Sequence, residues 1–145
     1  MKKLVVLLLS IVVILTGCLN PASVRVIEDM YTQALMEEEE AVATYFSDDI
    51  LEEHPIEELT QELASHPRAV GGISLLNAAQ LTRNRLQPDI VEELDEKYDE
   101  EWHFVVNDAT EGEVMTWVLL KTPTQYLIVE GEKVSIEEYQ EHIKK

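Results

Sequence analysis

From Ser23 onward, apolar residues recur at three- and four-residue steps: Val24, Ile27, Tyr31, Ala34 and Leu35, with Val42, Tyr45 and Phe46 resuming beyond the run Glu37 to Glu40. That spacing predicts one helical face. Asn20 or Ser23 is placed to cap it, Glu28 and Asp29 lie near the positive end of its dipole, and Ser47-Asp48-Asp49 breaks it. A second helix is predicted from Pro55, whose fixed φ suits a first turn; it buries Ile56, Leu59 and Leu63 and halts before Pro67. Gly71-Gly72 supplies a turn. Ile73 to Leu81 alternates well enough for a strand, although its alanines leave a helix open.

Pro88 opens a short amphipathic helix with Ile90, Val91, Leu94 and Tyr98 inward and Glu92, Glu93, Asp95 and Glu96 outward. Trp102 to Val106, Val114 to Lys121 and Gln125 to Glu130 are rich in branched and aromatic residues and are separated by turn-forming stretches. They predict a three-stranded antiparallel meander. At the end, Ser135 and Glu138 stand at capping-box spacing and Val134 with Tyr139 at the staple positions of a last helix, Ile136 to about Ile143. The order implies an α+β fold in which N-terminal helices pack on an antiparallel sheet and a C-terminal helix follows.

Ahead of this domain, Lys2 and Lys3 precede Leu4 to Leu15, twelve residues that are apolar except Ser10. The run is too short to span a bilayer core of about 30 Å, and it has the layout of a removable signal, residues 1–17. Leu15-Thr16-Gly17-Cys18 resembles the lipobox of bacterial lipoproteins at every position. The resemblance implies that Cys18, the single cysteine, takes a diacylglyceryl thioether and that the leader is then cut away. Small neighbours leave room for a lipid donor to reach a nucleophilic thiol. Each buried methylene contributes about 0.8 kcal/mol, so two palmitate-type chains hold a protein where one is marginal. The expected location is the extracytoplasmic face of the cell membrane.

Removing the leader leaves 128 of the 145 residues, a lipidated tether at 18–23 and one α+β domain at 24–145. With Cys18 lipidated no thiol remains, so packing rather than a disulfide must hold the fold. The formal charge of −18 becomes −20 once Lys2 and Lys3 leave. Nucleic acid is excluded as a partner, because phosphate neutralisation needs clustered Lys and Arg. Leu19 to Ser23 reach less than about 20 Å even when extended, so the domain is expected to stand close to the bilayer. The acidic runs Glu37 to Glu40, Glu52-Glu53 with Glu57-Glu58, and Glu92 to Glu101 lack the ordered oxygens of a calcium loop and read first as solvated helix faces.

The pattern Val24, Tyr31, Ala34-Leu35, then Ala41-Val42-Ala43, Tyr45-Phe46 and Ser47-Asp48-Asp49, resembles the opening of nuclear-transport-factor-like (cystatin-like) lipoprotein domains of Gram-positive bacteria. The resemblance spans 23 to about 131. It implies a long helix in the concave face of a curved sheet, often with a conical pocket. The helix at Pro88 to Tyr98 and the one after Ser135 depart from the simplest members, which leaves strand order open.

No Gly-x-Ser-x-Gly and no second cysteine supports nucleophilic catalysis, and His54, His66, His103 and His142 never form His-Glu-x-x-His. These histidines read as surface or capping residues. No cofactor motif and no metal motif is present, and no catalytic residue is assigned. Polar residues on otherwise apolar strand faces are Asn77, His103 and Thr116; with Trp117 or Tyr126 each can line a cleft, although hydrogen-bonded core or edge positions and core filling are the plainer readings. The expected function is binding or assembly in the cell envelope, with another envelope protein or a small apolar ligand as partner. A small pocket enzyme performing proton transfer and a divalent-cation-binding wall protein are the alternatives.

Overall fold

The β-rich stretch forms the frame on which everything else is hung. A computed structural model describes residues 20–144; the expected leader, residues 1–17, and Cys18 lie outside the described residues. Four strands run in the order β1 (Ala79–Leu81), β2 (Trp102–Asp108), β3 (Glu113–Lys121) and β4 (Tyr126–Ser135), each antiparallel to its neighbour. The predicted meander is therefore present, lengthened to Ser135 and extended by the edge strand β1. Six of the nine residues of β3 are buried without a break, because helices cover both faces of the sheet.

On one face lie α1 (Ala22–Leu35) and α4 (Ile56–Val70), whose Ile27, Tyr31, Leu63 and Ala64 pack with Val105, Met115, Trp117, Leu119 and Ile128. Between them the chain forms α2 (Glu39–Ala43) and α3 (Asp48–Glu53). The other face carries α5 (Pro88–Tyr98), whose Leu94 packs with Trp102, Phe104 and Val118. Finally α6 (Ile136–His142) follows β4; Ser135 Oγ accepts the Glu138 N–H at 3.2 Å, and Val134 packs with Tyr139, as the capping box and staple require.

Several expectations are corrected by packing. The first helix does not run on to Phe46: Glu37 adopts φ 59° and Glu38 N–H closes on Gln33 O at 3.1 Å while Glu37 N–H closes on Ala34 O at 3.0 Å. This is a Schellman ending, and it turns the chain so that four successive glutamates need not share one rod. Neither Asn20 nor Ser23 caps α1, which starts after Pro21 without a side-chain cap. Ser23 is buried, and its hydroxyl donates to Gln80 Oε1 at 2.6 Å, tying α1 to the edge strand.

α4 passes through Pro67 and ends at Gly71, φ 99°. A proline one turn from the end removes a single helical bond, while the Pro67 carbonyl receives two N–H groups, from Gly71 at 2.9 Å and Gly72 at 2.8 Å. Burial of His66 and Pro67 against the core holds the last turn. The expected strand from Ile73 shrinks to Ala79–Leu81, because Ile73–Leu76 forms a 3₁₀ turn and Asn77 takes φ 51°. Asp95, expected outward, is half-buried: it accepts the Trp102 indole N–H at 2.8 Å and pairs with Arg83, which lies 4.8 Å over the Trp102 ring.

Candidate functional site

Trp117 is the pivot of the sheet face covered by α1 and α4. Its neighbour across the sheet is Gly131, the lack of a side chain there leaves room for the indole, and Tyr31 and Phe46 stand around it at ring-centroid distances of 6.4 and 6.3 Å. An indole N–H can only donate, so the group it meets at 2.7 Å must be the carbonyl oxygen of Asn107. Asn107 Nδ2 then points the other way, donating to Tyr31 Oη at 3.1 Å and to the Asp108 carbonyl at 2.7 Å. The Tyr31 hydroxyl has His66 Nδ1 at 3.0 Å and Asn107 Oδ1 at 3.5 Å; it already accepts from the Nδ2 of that same amide, and the nearer histidine nitrogen takes its proton.

Four buried side chains from α1, α4, β2 and β3 are thus linked in one relay, and its directionality assigns the tautomer of the last member. With Nδ1 accepting, His66 carries its proton on Nε2. That nitrogen is closed off from solvent and has no hydrogen-bond partner among the described residues. Desolvation lowers the His66 pKa below 6.5, opposed by Glu62 and reinforced by Lys133, so the ring is neutral near pH 7. Burial likewise pushes the Tyr31 phenol well above its ordinary range and keeps it protonated.

His66, Trp117 and Gly131 also line a groove of about 690 Å³ between α3, α4 and the outer strand β4. Its apolar wall includes Phe46, Leu59, Leu63 and Met115. On the rim, Glu62 pairs with Lys133 at 3.1 Å, and Glu130 pairs with Lys97 and accepts the Tyr98 hydroxyl at 2.7 Å. Asp49, Glu53 and Glu132 have no ion pair among the described residues. A more open depression of about 710 Å³ lies beside Arg83 and Asp95, whose charges are engaged with each other.

Of the five residues expected to line a cleft, only Trp117 lines this groove. Asn77 is exposed on the turn before β1 and donates to Asp108 Oδ2 at 2.7 Å. Thr116 points to the opposite face of the sheet, beside Val114 and Val118, with its hydroxyl 3.4 Å from the Glu132 carbonyl. His103 and Tyr126 do meet, edge to face at 5.2 Å, and burial with Lys121 nearby lowers the His103 pKa. Period-2 alternation puts Thr116 and Trp117 on opposite faces of β3, and the β2–β3 register, His103 opposite Leu119, puts His103 on the Trp117 face. The residues missed are His66 and Asn107. His66, read as a surface or capping histidine, is buried in line with Leu59 and Leu63 at helical spacing, a signal already present in the helix predicted from Pro55.

Among the described residues, no three His, Cys, Asp or Glu side chains are placed to hold a metal ion, and no helix is long and apolar enough to cross a membrane. Compared with known protein families, curated proteins and solved structures, the chain matches none.

Proposed function

We propose that this protein is a lipid-anchored, extracytoplasmic binding domain of the bacterial cell envelope. The observation that carries the reading is the sequence Leu15-Thr16-Gly17-Cys18 behind a basic and apolar leader. Cys18 stands four positions before Ala22, where α1 begins, so a lipid on its sulfur would hold the domain at the membrane surface. In fold the domain is read as nuclear-transport-factor-like, with α1 and α4 laid across the antiparallel sheet and a groove at their margin.

Binding is favoured over catalysis by the state of the groove's histidine. Its Nδ1 is committed to Tyr31, and no carboxylate or nucleophile bonds its Nε2 among the described residues. Metabolic labelling with radioactive palmitate tests the anchor: the wild-type chain is expected to take up label and partition into detergent, and Cys18→Ala to do neither. Unlabelled wild-type protein with a free thiol would refute the reading. Crosslinking in intact cells, wild type against Cys18→Ala, then identifies the partners that depend on anchoring.

A further inference from the structure

We propose that the groove beside His66 takes an extended, cationic polypeptide segment with apolar residues, whose backbone carbonyl accepts the His66 Nε2–H. The inference rests on the reading of the protein as a binding domain and names the class of its partner.

Three independent features point to that occupant. The first is a donor without an acceptor. The relay from Trp117 through Asn107 and Tyr31 fixes a proton on His66 Nε2, and the residue is 1% exposed with that atom unbonded among the described residues. A stranded buried donor is costly to leave unpaired, and His66 is among the residues lining the groove, so a ligand oxygen that displaces the side chains closing Nε2 off would satisfy it.

The second is an open strand edge. The chain's own segment runs parallel along β4 at one point: Ile128 N–H donates to Tyr45 O at 2.8 Å and Ser47 N–H donates to Ile128 O at 2.9 Å. After Ser47 the chain turns off into α3, and β4 continues as the outermost strand with no further partner on that edge among the described residues. An incoming segment can take up the pairing where Ser47 leaves it, with alternate side chains against the apolar wall.

The third is charge. The rim lysines Lys97 and Lys133 are already paired, whereas Asp49, Glu53 and Glu132 are left over. A carboxylate ligand would be repelled; a neutral carbonyl flanked by Lys or Arg matches both the donor and the rim. The acceptor, the extended backbone and the positive charge are together properties of a basic peptide.

The test uses the full chain in a mild non-ionic detergent, titrated with acetyl-Lys-Phe-Lys-Leu-Lys-amide and with its Glu-Phe-Glu-Leu-Glu counterpart. Calorimetry is expected to show saturable binding of the first and none of the second. In the same titration the ¹⁵Nε2 resonance of His66 should shift, a readout on the wild-type protein that needs no variant to fold. His66→Phe is expected to weaken binding about tenfold and His66→Gln, which keeps a donor, to retain most of it. Asp49→Asn with Glu53→Gln should weaken binding by a similar factor and flatten its salt dependence. An unmoved His66 resonance at saturation, equal affinity for both peptides, or an equal loss from Glu92→Gln with Glu93→Gln on remote α5 would overturn the proposal. Cys18→Ser should bind the peptide as the wild type does, so failure of the anchor and failure of the groove are read separately.

Discussion

A Cβ atom built on Gly131 would lie 2.5 Å from Cζ3 and 2.7 Å from Cε3 of Trp117, so the indole occupies the space that any other residue at 131 would need. The ring has nowhere to retreat, since its N–H is held by Asn107 at 2.7 Å and Tyr31 and Phe46 flank it. Gly131→Ala is therefore expected to destabilise the fold by about 1 to 3 kcal/mol, in the range of overpacked cores. Urea unfolding followed by tryptophan emission measures it. An unchanged midpoint would show that the ring can move.

Asn107 joins Trp117 to Tyr31, and its loss strands a buried indole donor. Asn107→Leu should cost about 1 to 3 kcal/mol. In a Trp117→Phe background, where no donor remains to be stranded, the same change should cost less by about 1 kcal/mol or more. A double-mutant cycle in chemical denaturation reads the difference, and strictly additive effects would contradict the relay.

The folded chain binds a proton at His66 more weakly than the unfolded chain does, because burial lowers the pKa below 6.5 despite Glu62. As pH falls past about 6.5 the unfolded state takes up the proton first, so stability is present above that value and is lost as pH drops through the lower native pKa. Glu62 and Lys133 face the ring with opposing effects, and Glu113 adds a smaller acidic one. Unfolding free energies measured from pH 7.5 to 5 should decline, with a smaller decline in His66→Gln. His103→Gln removes the other lowered histidine and should flatten the curve separately.

Glu37 sits at φ 59°, a left-handed position that suits glycine, and its contact with Arg68 is a surface pair at 3.6 Å. Left-handed backbone costs a side-chain-bearing residue about 1 kcal/mol, while such an exposed pair contributes little. Glu37→Gly is expected to raise stability by about 1 kcal/mol, since it also thins a run of like charges. Thermal unfolding by circular dichroism checks this, and a lowered midpoint would mean that the helix ending is held by the side chain instead.

Strands β2 to β4, α5 and the Ser135 cap could be read from the amino acids alone, because their signals are local: branched and aromatic runs, proline at a first turn, a hydroxyl three residues before a glutamate. The α+β class followed from their order. Where local rules met tertiary packing, packing decided. Pro67 should stop a helix, yet burial of His66 and Pro67 carries α4 one turn further. The alternation after Ile73 was overruled by the turn at Asn77, leaving three residues to pair with β2.

The candidate site lies almost wholly on the side of tertiary structure. Tyr31, His66, Asn107 and Trp117 come from four elements as much as 86 positions apart in the chain, counted from Tyr31 to Trp117, and no spacing rule links them. Composition and pattern determined the acidic charge, the α+β class and the elements with local signals, β2 to β4, α5 and the Ser135 cap, since these depend on each residue and its near neighbours. Which polar groups would meet, which donor would be left over and where a groove would open depended on how helices and sheet close on one another, an outcome set by long-range packing.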